Sequence, residues 1–511
     1  MQTRKLVYAG VVALLFVITA LLLLASQLLE GSADLILSNP LQWLRSADTG
    51  LLSESLATAT GVMLAVLGIA ITVVAIVVQL AATRNNHRIT GLFIREPANI
   101  VILSFFVVTT IVCFWAAATL TEPAEGALLP RAGFVLTNLL VTISLLIILP
   151  YLAFVISFVS PLNMIRKIQA SGERAMKNAV ENYQPAHVEQ VNEAVDELHD
   201  VVRSAMEQSD RVIAMAGIDA LARMISQYQI LRADLPQEWF QIGPAVLNDP
   251  DFISLEPSAI AEIEKETTWF EVKVYRQYLL LMMLSAFQMR DIAYLIAINS
   301  RRIAIDAIKK NRPLLQLSIR CFNSYLRSSI NARDVRTSYY LLNQYRLVAE
   351  AITDDDDASL VAEIARHFQF YGLLAFNMDQ SFLLEVAAYD VMRLLETSVL
   401  NKSSNVDALL QLLMGFDQEI KADSRMDNLL GVRRAQIQAA TMFLERGHTE
   451  RARVIADDLA GEELHRLERV REELVSQNRA QYWELTDRGI TFGYLEPERR
   501  VHLETLFGWL R

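Results

Sequence analysis

The 511 residues are 53% hydrophobic and 21% charged, with a mean hydropathy of +0.27. That is too apolar for an ordinary soluble protein and too charged for one buried wholly in lipid, so a membrane part joined to a water-soluble part is expected, and disordered or collagen-like chains are excluded. The net charge of −11 falls after residue 159, which argues against a general nucleic-acid binder, and two cysteines, Cys113 and Cys321, exclude a disulfide framework or a zinc ribbon.

Four apolar runs are each long enough to cross a hydrocarbon layer as a helix: 6–25, 56–82, 100–120 and 134–159. None holds a charged residue or a histidine in its interior. The first is too long for a signal peptide and no clean Ala-x-Ala site follows it, so an uncleaved anchor is expected. Basic residues concentrate on one side, the opposite loops holding only Arg45 and Arg131 against six acids. Arg4 and Lys5 precede the first run, Arg84, Arg88 and Arg95 follow the second, and Arg166, Lys167, Arg174 and Lys177 follow the fourth. By the positive-inside rule both termini are expected to be cytoplasmic. Tyr8, Trp43 and Tyr151 lie near span ends, where amphipathic rings often sit.

Within the second run, Thr58, Gly61, Ala65, Gly68, Thr72, Ala75, Gln79 and Ala82 alternate at spacings of three and four. They place small and weakly polar groups on one helical face. Close helix packing in lipid is the reading favoured from sequence, and a pore wall in an oligomer is the alternative.

Beyond residue 160 apolar residues recur at helical spacing, with no alternating strand pattern. Residues 160–232 are expected to form a helical connector or stalk, 233–480 a helical-repeat domain, and 481–511 an aromatic-rich C-terminal cap. The run Tyr278–Phe287 is too short to span a bilayer and fits a buried helix. Asp291, Asp334 and Asp379 each follow a polar turn and open an apolar helix, at separations of 43 and 45. That period suits a two-helix repeat. Residues 434–459, with Ala440, Phe443, Gly447 and Ala452, resemble one tetratricopeptide-type unit but depart from it at Gln436 and Ala456.

No phosphate-cradling glycine loop, His-Glu-x-x-His or Cys-x-x-Cys occurs, so no catalytic, cofactor or metal residues are assigned and an enzyme is not expected. Asp196-x-x-His199 and Glu462-x-x-His465 have the spacing of di-iron bundles, but their charge-rich setting reads as solvated helix face. Asp354–Asp357 lacks the glycine and spacing of a calcium loop. Glu484–Gly489 resembles the start of a winged-helix wing without the rest of such a domain. The best binding candidate is a basic stretch made by Arg301, Arg302, Lys309, Lys310, Arg312, Arg320, Arg327, Arg333 and Arg336. An anionic lipid, an acidic partner or neighbouring acidic repeats would satisfy it.

Leu56–Phe106, with its glycine-containing second run, Gln79-Leu80, the basic Arg84–Arg88 and a short loop into the third run, resembles the bacterial predicted membrane proteins grouped as domain of unknown function 2254, and the likeness extends to about Gln169. The resemblance implies a multi-pass protein of the bacterial inner membrane. It brings no activity and no site residues. The expected fold is all-α: four transmembrane helices followed by an α-solenoid-like, tetratricopeptide-like cytoplasmic domain. The expected role is a membrane scaffold or sensor that binds a protein partner, and the alternative is a homo-oligomeric ion channel lined by the second span.

Overall fold

The computed structural model describes residues 49–83, 97–119, 129–352, 357–416, 429–484, 486 and 488–511. The expected first span, 6–25, lies outside the described residues. The chain divides into two compact units, 1–164 and 165–511. Among the described residues every named element is helical, apart from one antiparallel bridge between Gln481 and Ile490.

The first unit contains α1 (Thr49–Thr83), α2 (Pro97–Thr119) and α3 (Leu129–Val159), packed on one another. Three helices, not four, are long and apolar enough to cross a membrane among the described residues. Leu56, Ala59, Met63, Val66 and Ala70 form the buried edge of α1, again at spacings of three and four. Phe106 of α2 and Val155 of α3 are fully enclosed. Tyr151 was expected at an interface by its sequence position. It is instead 1% exposed and donates to Asn99 Oδ1 at 2.6 Å, which joins α3 to α2 and satisfies both polar groups away from solvent.

The second unit opens with α4 (Pro161–Glu181), α5 (Pro185–Glu207) and α6 (Arg211–Leu231). The segment expected as a stalk is therefore a set of helices inside the second unit. Gly172 of α4 lets that helix lie close to Met224 and Ala194, and Gly217 faces Val202 with no room for a methyl group. After a loop that buries Trp239 come α7 (Pro257–Lys265), α8 (Trp269–Gln288), α9 (Arg290–Ala307), α10 (Arg312–Asn331), α11 (Val335–Ile352), α12 (Ala358–Asn377) and α13 (Ser381–Leu400). Then follow α14 (Val406–Met414), α15 (Leu430–Glu445), α16 (Thr449–Leu459), α17 (Leu464–Ser476) and α18 (His502–Leu510).

Each helix from α8 to α13 packs on the next helix and on the next but one, which yields two layers. One runs α6, α9, α11, α13, α15, and the other α5, α8, α10, α12, α14. Hydrogen bonds between layer neighbours span similar intervals: Tyr275 to Ser318, 43 residues on, Arg290 to Asp334 and Asn323 to His367, each 44 apart, and Glu385 to Arg434, 49 apart. Asp334 Oδ1 accepts from the Thr337 backbone N–H, as a helix-opening aspartate should. Asp291 lies in the first turn of α9. Asp379 differs: its φ is +61°, so it makes the tight turn before α13 and does not cap it. The run Tyr278–Phe287 lies within α8, with Tyr278 and Leu281 buried but Leu280, Met283 and Leu284 exposed.

Candidate functional site

Around α1, all seven candidate stripe residues from Thr58 to Gln79 are exposed on the chain's own surface. The buried edge toward α2 and α3 is the other one, through Met63 and Val66. A methyl group added at Gly61 or Gly68 would meet nothing within 4 Å. Thr58 and Thr72 already donate their hydroxyls to the carbonyls of Glu54 and Gly68, four residues back. The face is therefore smooth, weakly polar and uncovered by α2 or α3.

The basic stretch is not one patch. Lys309, Lys310 and Arg312 sit at the start of α10, whereas Arg333 and Arg336 lie beyond its end, about 30 Å away for a helix of twenty residues. Arg312 pairs with Asp357. Arg320 pairs with Glu262 at 2.7 Å. Arg327 lies over the rings of Phe370 and Tyr371, at 5.6 and 5.8 Å. Arg302, Lys309, Lys310, Arg333 and Arg336 remain exposed, while Arg301 is half-buried near the end of α9. One-dimensional proximity grouped these residues, and antiparallel helices separate them.

A groove between α11 and α13 has the strongest chemistry. Asp390 of α13 is fully buried and receives both ends of the Arg488 guanidinium, with Nη2 at 2.9 Å from Oδ2. Arg346 Nε stands 3.3 Å from the same carboxylate. The Arg488 guanidinium lies 4.6 Å from the centre of the Tyr339 ring, and Phe492 packs on Tyr389 at 4.4 Å. Desolvation alone would push the Arg488 pKa down, but the Asp390 carboxylate outweighs it and holds the charge in place. Residues 480–484 and 488–492 pair here as the two arms of a short hairpin, closed by Tyr482 N–H to Gly489 O and Thr491 N–H to Ala480 O. Gln438 holds the exit of the hairpin through the carbonyls of Phe492 and Tyr494. Further on, Arg499 pairs with Glu396 of α13 and Glu445 of α15. Phe507 is buried against Arg471, while Trp483 stays 73% exposed. The fragment with a wing-like start thus provides the arginine that enters this groove.

A second buried knot surrounds Lys273. Its ammonium is 1% exposed and touches Asp196 at 2.6 Å and Asp249 and Asp251 at 2.7 Å each. Burial would lower the Lys273 pKa, yet hydrogen bonds to the three carboxylates raise it overall. Burial raises Asp196 despite the lysine, and burial lowers His199. Asp196 therefore faces an internal cation, where a solvated helix face was expected. Glu462 is likewise buried between Arg433 and Arg466, while His465 is exposed. Among the described residues no group of ligands could hold a metal ion. Residues 354–356 lie outside the described residues. The sequence carried no signal for the Lys273 and Asp390 knots, because their partners stand 22 to 98 positions apart.

No curated protein and no solved structure matches the chain. A family model described as Predicted membrane protein (DUF2254) matches residues 4–262. That match takes in α1 to α3, runs well past the likeness visible around 56–169, and covers just over half of the chain. With three apolar helices of membrane-crossing length inside the matched region, the chain belongs to the Predicted membrane protein (DUF2254) family.

Proposed function

We propose that this chain is a non-enzymatic scaffold or sensor of the bacterial inner membrane, with both termini cytoplasmic, whose helical domain binds a protein partner. The carrying observation is the seam of α11 and α13, where stacked helices hold the chain's own C-terminal hairpin through a buried arginine and an aromatic ring. The two-layer arrangement and the 43–49 residue bonding intervals support reading the domain as α-solenoid-like, the architecture that presents long binding faces. The exposed cations on α9 and α11, Arg302 and Arg336, suit an acidic partner or anionic lipid. Photo-crosslinking from positions 302 and 336 in native membranes tests the reading. One discrete protein adduct, weakened by the Arg336→Glu variant, is expected. Absence of any adduct from both positions refutes partner binding at either of these exposed cations.

The channel reading also retains a specific support, since the α1 stripe is not consumed by α2 or α3. The protein-only mass of the detergent-solubilised particle decides it. A monomer refutes an oligomeric pore, and a closed oligomer calls for conductance measurements on Thr72 and Gln79 variants.

A further inference from the structure

Between α7, α8 and α10 the second unit has a half-open pocket of about 250 Å³. An apolar cavity of roughly 150 Å³ already accepts benzene, so this one has room for a ligand of about ten to fifteen non-hydrogen atoms. Its roof is α7, a nine-residue helix that buries none of its residues. Ala259 and Ile263 of α7 face a wall formed by Val272 and Leu279 of α8 and Leu317 of α10. A helix perched over apolar surface without burying a side chain leaves unfilled contact on both sides. The charges at the cavity are sorted between wall and roof. Arg276 and Arg320 stand on the long helices α8 and α10, whereas Glu262 belongs to α7 and Glu266 directly follows it. Arg320 is held by Glu262 at 2.7 Å, with both side chains more than half exposed. Arg276 Nε is 3.6 Å from Asp251 and makes no hydrogen bond.

We propose that this cavity binds a small carboxylic acid with an apolar body, its tail between α7 and the α8–α10 wall and its carboxylate on Arg276 and Arg320. Glu262 is then the internal stand-in for the ligand's carboxylate. Planar guanidinium groups match a carboxylate in geometry as well as charge. The ligand site is independent of the partner-binding reading, and either can fail without the other.

Cys321 lines the same cavity and reports on its occupancy. Burial pushes its thiol up to about 12, so alkylation is slow and its rate easily followed. The full-length protein in zwitterionic nanodiscs is treated with iodoacetamide, and modification of Cys321 is read by peptide mass spectrometry, with Cys113 of α2 as the internal reference. Decanoate is expected to slow Cys321 alkylation, and decanol, of equal length but uncharged, to need a roughly tenfold higher concentration. Arg320→Gln should abolish that preference for the acid. Ile263→Trp, on a helix without buried residues, should fill the cavity and remove protection while circular dichroism stays unchanged. Oleate, too long for the volume, should not protect, which separates a small acid from a membrane fatty acid. Equal protection by decanol, no protection by decanoate, or protection by oleate alone would overturn the assignment.

Discussion

Asp390 and Arg488 show what burial does to a charge. Both side chains are almost completely enclosed, at 0% and 1% exposure, so neither is tolerable without the other. Arg488→Ala leaves Asp390 with Arg346 alone and should cost about 3 kcal/mol in denaturant unfolding, by the range for breaking a buried pair. Asp390→Asn in the same background should recover part of that loss, because the orphaned charge is gone. His199 and His367 give a pH dependence of definite sign. Burial lowers both pKa values below the ordinary range, so each binds its proton less readily when folded. Around His199, Asp200 and Asp251 pull its pKa up while Arg203 and Lys273 push it down, and desolvation prevails. The unfolded chain takes up the proton first, so stability is full above about pH 6.5 and falls as the pH drops below it. Thermal unfolding between pH 8 and pH 5 checks this, and a His199→Gln, His367→Gln variant should show a shallower decline.

At the level of elements, glycines separate packed faces from open ones. Gly217 sits against Val202 so closely that a β-carbon would collide, and Gly217→Ala should destabilise the second unit by about 1–3 kcal/mol. Gly61 and Gly68 meet open space, so Gly61→Ile and Gly68→Ile should leave the first unit's fold intact. If the α1 stripe mediates association, those variants lower the particle mass in detergent through lost close approach, whereas an unchanged mass removes the stripe from any interface. The turns have their own signature. Ser209, Arg333 and Asp379 all adopt left-handed φ values at helix-pair junctions, a conformation glycine adopts without strain. Ser209→Gly should therefore be neutral or slightly stabilising in thermal unfolding, and a clear loss would mean that its side chain matters more than its backbone.

For the whole molecule, the C-terminal segment binds the layered helices together. Arg488, Arg499 and Gln438 connect it to α11, α13 and α15, across 54 to 149 residues of sequence. Deleting residues 477–511 should expose the Tyr339–Phe382–Tyr389 surface and raise binding of a hydrophobic dye, with faster proteolysis of α13 and α15. Retained stability after deletion would make the segment dispensable to the fold.

Composition and hydropathy by themselves determined the membrane part and the all-helical class, because these follow from local periodicity and from the fixed thickness of the hydrocarbon layer. The likeness around 56–169 already named the family to which residues 4–262 attach the chain. Other features needed the tertiary structure. The basic residues of 301–336 were close in sequence, and the antiparallel course of α9, α10 and α11 sent them to opposite ends. The sequence reading favoured the small-residue edge of α1 for helix packing, whereas α2 and α3 bury the other edge, which runs at the same helical spacing. The Asp390–Arg488 pair, the Lys273 knot and the cavity beneath α7 join distant positions. A chain read in one dimension carries no record of such meetings, because they are created only when helices pack and exclude water.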